Sequence, residues 1–241
     1  MKNTLRIATL NLIGIILLAS YGLTGQEGFW FKLDTAVFYF FNSHLVKGST
    51  FVDVVAFTNL RIFDAVPIIV MGLLYLHYYL KEDIEGRKKM LCVGIVMLFA
   101  AIMFKQSGRF LPISHQSPSL FFEDANRLVN LTDLPTKDSS NNSFPGDHGV
   151  MLMIFAAFMA RYYGLRAFLC AVVVTIIFSM PRIASGAHWF SDIYVGSLSI
   201  VCIGLSWLGS PLVSDMLAAF VDRFIIPKRI YQVLHLDRHK Q

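Results

Sequence analysis

DHGVMLMIFAAFMARYYGLRAFLCAVVVTIIFSMPRIASGAHWFSD, residues 147–192, holds two apolar runs of helix length, 149–163 and 165–180. They are joined by the short basic turn ARYYGLR (160–166) and flanked at both ends by polar clusters. Each run falls a little short of the ~20 residues that span a bilayer, and extension through the polar flanks makes up the difference. The flanking residues then sit in the interfacial zone. In the second flank Arg182, His188 and Asp192 are spaced Arg-x5-His-x3-Asp. A His and an Asp four apart share a face of a helical turn. A carboxylate on one ring nitrogen would fix the tautomer and leave the other lone pair free to attack. The planar guanidinium of Arg182 suits a phosphoryl group. Taken alone, the same spacing also fits a surface His–Asp pair beside an unrelated arginine.

Outward from this stretch the pattern repeats. Four further apolar segments lie roughly at Ile7–Thr24, Ala65–Leu80, Met90–Phe104 and Ile193–Leu208. Hydrophobic residues make up 55% of the chain, only 15% is charged, and mean hydropathy is +0.57, too apolar for an ordinary soluble domain. The expected fold is therefore all-α: a polytopic membrane bundle of six transmembrane helices over residues 1–210, followed by a basic cytoplasmic tail over 211–241. The net charge of +5 is not a nucleic-acid footprint, because the cations cluster at the ends of apolar runs. Cys92, Cys170 and Cys202 lie within apolar segments and read as packing residues. The first segment, behind Lys2 and Arg6, reads as an uncleaved anchor rather than a signal peptide.

Lys and Arg also give the orientation. The N-terminus, KEDIEGRKK (81–89), ARYYGLR and the tail carry the cations, and six spans place all four on one side, the cytoplasmic one. Segments 25–64, 105–148 and 181–192 then share the opposite face. Two more polar clusters fall there: SFPGDHG (143–149), with His148 just before an apolar run, and KQSGRFLP (105–112), with Lys105 and Arg109 on one helical face. Two imidazoles, three cations and a carboxylate at helix ends suit phosphoryl chemistry. The loop 105–148 is long enough to contribute to the site or cover it. Its charges Glu123, Asp124, Arg127, Asp133, Lys137 and Asp138 read by default as solvated. Phe29–Val46 reads equally as an interfacial aromatic stretch or as packing against the bundle. Arg61 and Asp64 read as a structural i,i+3 pair.

At these motifs the chain resembles the type 2 phosphatidic acid phosphatase (PAP2) superfamily. Its third signature, Ser-Arg-x5-His-x3-Asp, is met at Arg182, His188 and Asp192, with Pro181 in place of the serine. Its second, Pro-Ser-Gly-His, is met at Pro145 and His148, with Gly146 and Asp147 between them. Of its first, Lys-x6-Arg-Pro, Lys105 is present, Pro112 stands where the Arg would be, and Arg109 is the nearest substitute. SFPGDHG, PTKD (135–138), GAHWFSDI (186–193), VGSLS (195–199), FYFFN (38–42) and TNLRIFD (58–64) resemble one branch of that family. Its members sit in the bacterial inner membrane and move a phosphate from undecaprenyl diphosphate to the 1-phosphate of lipid A at the periplasmic face.

The resemblance implies His188 as nucleophile, Asp192 as its orienter and His148 as the acid that protonates the leaving undecaprenyl phosphate. Lys105, Arg182 and Arg109 would neutralise the phosphoryl oxygens, and Gly146 would let the backbone approach them. It implies no metal and no cofactor, with membrane lipids as surroundings. Asp147 is expected to cap the helix that follows, or else to pair with a cation of the site, and Ser143 could share the cap. His44, His77, His235 and His239 read as structural, and His115 as a residue close to the first motif. A hydrolase of the same fold, such as an undecaprenyl diphosphate phosphatase, shares the first step. A transporter would need polar groups at mid-membrane, and these segments carry few.

Overall fold

A computed structural model describes residues 2–23, 28–106, 108, 111, 113–208 and 211–225. It contains no strand among the described residues. The order is α1 (Lys2–Gly22), α2 (Phe29–Asn42), α3 (Thr50–Thr58), a 3-10 turn (Arg61–Asp64), α4 (Ala65–Tyr79), α5 (Ile84–Lys105), α6 (Pro118–Phe121), α7 (Leu128–Leu131) and α8 (Asp147–Ala184). A π-helical turn (Asp192–Ser197) follows, then α9 (Leu198–Leu208), α10 (Pro211–Phe220) and a second π turn (Val221–Ile225). Each of the six apolar segments coincides with helical backbone. Three helices, Asn3–Gly22, Arg61–Tyr79 and Asp147–Ala184, are long and apolar enough to cross a membrane.

The longest of these reverses direction. Gly164 adopts φ 79° and ψ −167°, a conformation open to glycine and costly for other residues. A straight helix would separate His148 from Arg182 by about 50 Å at 1.5 Å per residue. Their side chains instead approach to 3.3 Å. The two arms pack through Phe155, Ala156 and Met159 on one and Ala167 and Ala171 on the other, where small side chains permit close approach. The first arm also packs on α5 and α9, in a core of Cys92, Val93, Val96, Val150, Ile154, Phe158, Ile200 and Val201.

Large apolar side chains also point outward. Ile68, Ile69 and Leu73 on α4, Leu98, Phe99 and Ile102 on α5, and Leu165, Leu169 and Val173 on α8 are exposed. So much uncovered apolar surface fits lipid as its surroundings. Cys170 lies on this outer surface, while Cys92 is buried. Val221 is buried in the α5–α9 core and Lys89 pairs with Asp215 at 3.8 Å, so the bundle runs past residue 210. The rest of the basic tail, 226–241, lies outside the described residues.

On the side where the site forms, α2 is amphipathic in the packing sense. Phe38 is buried and stacks on Phe122, while Phe29 and Phe40 remain exposed. The long loop is folded against this layer rather than free. Asn42 and Asn126 exchange three hydrogen bonds of 3.0–3.2 Å, and Leu60 and Thr136 form an isolated antiparallel bridge.

Candidate active site

α8 positions the site from both of its ends. His148 lies in its first turn, Arg182 in its last, and the chain beyond it carries His188 and Asp192. His148, Arg182 and His188, together with Lys105, the last residue of α5, and the loop residues Lys137, Ser139 and Asn142, border one cavity of about 260 Å³, while Asp192 is buried behind His188.

His188 donates from Nδ1 to the Ser143 carbonyl at 2.9 Å. A carbonyl only accepts, so Nδ1 carries the proton and the Nε2 lone pair is free. Asp192 was expected to make this bond. Its Oδ2 lies 3.5 Å from Nδ1 and accepts the Trp189 amide at 2.8 Å. The tautomer is thus fixed first by backbone, with a fully buried carboxylate behind it. His115 Nε2 lies 3.3 Å from the other oxygen of Asp192 and 2.8 Å from the Tyr21 hydroxyl. Ser143 therefore contributes its carbonyl; its side chain donates to His115 O at 3.3 Å and caps no helix.

His148 lies between two carboxylates. Nδ1 donates to Asp147 Oδ1 at 2.8 Å, and Nε2 is 3.3 Å from Asp64 Oδ1. Asp64 also accepts from Nη2 of Arg182, while Nη1 of Arg182 donates to Asn59 Oδ1 at 3.2 Å. The Arg61–Asp64 pair read from sequence is replaced by this longer-range one. The carboxylate points into the site because the 3-10 turn precedes α4 at the same end of the bundle as α8's termini.

Of the two expectations for Asp147, the structure shows the pairing with a cation of the site. Gly146 is the N-cap, and Asp147 is the first helical residue. Its carboxylate meets Lys105 Nζ at 3.4 Å, the His148 ring at 2.8 Å and His188 Nε2 at 3.9 Å, and it accepts the His148 amide at 2.9 Å. Starting one residue earlier places it in the first turn, where the positive end of the helix favours an acid. The Gly146 amide does not face the cavity either. It donates to Asp192 O at 3.0 Å, and a Cβ there would lie 2.8 Å from Ile193 Cγ1. Gly146 thus allows close approach of the π turn, not of a phosphate. Arg109 and Pro112 lie outside the described residues.

Asp64, Asp147 and His148 all precede the apolar stretches of their helices. Burial alone would lower the His148 pKa, but the two carboxylates outweigh it and lift it above the usual value. Hydrogen bonding from His148, aided by the Arg182 charge, holds Asp64 below the ordinary carboxylate range. Burial would raise Asp147, but His148, His188 and Lys105 hold it well below that range. The site thus sets a ring whose protonated form is favoured beside one whose Nδ1 is held by a carbonyl. The ligand atoms of Asp147, His148 and His188 lie within 4.8 Å of one another and could gather a cation.

Two imidazoles, a guanidinium and an ammonium around one cavity can hold and attack a phosphoryl group. Residues 114–215 match the PAP2 superfamily. The chain is also 45% identical over 223 residues to lipid A 1-diphosphate synthase of Escherichia coli (strain K12), covering 92% of this chain and 94% of that protein. This chain belongs to the PAP2 superfamily. No solved structure matches it. The matched region contains His148, Arg182, His188 and Asp192 and begins after Lys105, where the first signature is degraded.

The structure brings Lys105, His148, Arg182 and His188 to one cavity, with Asp192 behind His188. Sequence reasoning missed Asp64, Asn59 and the Ser143 carbonyl, and it left Lys137 as solvated charge. Asp64 and Asn59 lie in TNLRIFD, a stretch that the family resemblance already marked.

Proposed function

We propose that this PAP2-superfamily protein is a lipid phosphotransferase that moves a phosphate from undecaprenyl diphosphate to the 1-phosphate of lipid A. The observation that carries this reading is the cavity where the free lone pair of His188 faces His148, Arg182 and Lys105. The similarity to lipid A 1-diphosphate synthase supports the choice of acceptor.

In the first step His188 Nε2 attacks the terminal phosphorus of the donor. The P–N bond forms as the bridging P–O bond breaks, and His148 gives its proton to the departing undecaprenyl phosphate. Arg182 and Lys105 neutralise the equatorial oxygens, where charge spreads in phosphoryl transfer. Asp192 stabilises the charge that develops on the His188 ring. In the second step an oxygen of the lipid A 1-phosphate attacks the phosphohistidine, the P–N bond breaks, and His148 takes the acceptor's proton. The products are lipid A 1-diphosphate and undecaprenyl phosphate.

The topology follows the same reading. The six apolar helical stretches span the bacterial inner membrane, with both termini cytoplasmic and the cavity at the periplasmic interface. α5 supports this, because it carries Arg87, Lys88 and Lys89 at one end and Lys105, which borders the cavity, at the other.

The test uses purified protein and undecaprenyl diphosphate labelled in its terminal phosphate, with and without lipid A. Label on lipid A is the expected result. Label only as free phosphate would make the protein a hydrolase.

A further inference from the structure

Moving a phosphoryl group between a diphosphate and a phosphate requires room for two phosphate groups in each step. One is transferred; the other is the leaving group or the acceptor. The cations placed around the transferred group are already partnered within the protein. Lys105 pairs with Asp147, and Arg182 with Asp64. Lys137 borders the same cavity from the loop, and among the described residues no carboxylate lies within 4.0 Å of it.

The backbone around Lys137 is fixed. Its amide donates to Asn59 O at 3.3 Å, and Thr136 before it pairs with Leu60. Asp138 after it is buried, bonds Arg127 at 2.9 Å and the Val129 amide at 3.2 Å, and accepts Ser119 Oγ at its carbonyl at 2.6 Å. Asn59 is the residue that also holds Arg182. One asparagine thus fixes both the Arg182 guanidinium and the Lys137 backbone. Ser139 and Asn142 line the cavity beside Lys137 and bring a hydroxyl and an amide. A lysine with nearby neutral donors is suited to a phosphate monoester.

We propose that Lys137, with Ser139 and Asn142, forms a second phosphate subsite that holds the group not transferred: the donor's leaving phosphate in step one and the acceptor's phosphate in step two. The subsite rests on the transfer reaction proposed above. It gives that reaction a physical basis for preferring a phosphate to water, since water gains nothing from the cation. It also explains how the site works without the arginine of the first family signature, because the loop supplies a cation from another direction.

Lys137→Ala and Lys137→Arg test this in the full-length protein, with labelled undecaprenyl diphosphate and titrated lipid A. Loss of one charge-assisted contact should raise the acceptor KM of Lys137→Ala about 10- to 100-fold and increase the share of label released as free phosphate. Its kcat at saturating acceptor should fall far less, and Lys137→Arg should recover most of the lost affinity. An unchanged thermal melt excludes a folding defect; the exposed position of Lys137 favours that result. Wild type that transfers, with Lys137→Ala showing the same acceptor KM to within about twofold, overturns the subsite alone. Wild type that only hydrolyses overturns the transfer reading and the acceptor half of the subsite with it.

Discussion

His188 and His148 face the same cavity, yet their surroundings differ in kind. His188 donates to a backbone carbonyl, has a fully buried carboxylate behind it and keeps Nε2 free. His148 has a carboxylate at each nitrogen, both partly exposed. The first arrangement places the ring proton on Nδ1 and leaves Nε2 open to the cavity; the second puts a carboxylate beside each nitrogen and favours the protonated ring. In the proposed reaction these surroundings suit one ring to be the nucleophile and the other the acid, and the family motifs alone do not specify them.

The largest expected effect breaks the nucleophile side. His188→Ala should lose turnover by about 10⁴-fold or more, with neither formation of phosphoenzyme nor release of label. A variant that still turns over at a tenth of the wild-type rate would remove His188 from that role. His148→Ala should lose about 10²- to 10⁴-fold with the natural donor, the usual range for a general acid. The comparison sharpens with an acidic leaving group. A substituted phenyl phosphate needs no proton, so it should restore much of the first step in His148→Ala and none in His188→Ala. Equal rescue of both variants would merge the two roles.

A smaller effect tests the paired carboxylates. Asp64→Asn removes the anion at His148 Nε2, so the raised pKa of that ring should fall back. An acid works below its pKa, so the alkaline limb of the pH–rate profile should move to lower pH. An unmoved limb, with only a lower rate, would leave Asp64 as a partner of Arg182 alone.

The smallest effect on activity concerns Asp34. It is buried behind the site, held by the Ser191 amide at 2.8 Å and the Ser191 hydroxyl. Burial pushes its pKa from 3.8 to about 7. The folded state therefore keeps this proton where the unfolded chain loses it. The contribution is present below pH 3.8 and declines as the pH rises to about 7. At about 1.4 kcal/mol per pKa unit, that is at most about 4.5 kcal/mol. Asp34→Asn should flatten unfolding stability across this window, measured as melting temperature against pH, while leaving the transfer rate near wild type.

The uneven legibility of the site follows the same physics. Arg182, His188 and Asp192 fall within eleven residues of one another, so their relation is nearly local and their spacing carries it. His148 was legible because it opens an apolar run. Asp147 was left between two roles because a residue beside a helix start serves equally as cap or first-turn acid, and one residue in the helix boundary decides between them. Asp64 was misread because Arg61 supplied a plausible local partner, whereas its actual one is 118 residues away.

The sequence by itself determined the helical, membrane-suited character of this protein, the break between two apolar arms near Gly164 and the nearly local spacing of Arg182, His188 and Asp192. Hydropathy and short-range spacing act over a few residues, so composition and order suffice to express them. Only the tertiary structure decided which carboxylate holds which cation, that a serine carbonyl sets the His188 tautomer, and that a loop lysine borders the phosphate cavity. Those outcomes depend on backbone groups, which every residue carries alike, and on contacts between segments far apart in the chain, so no local pattern could encode them.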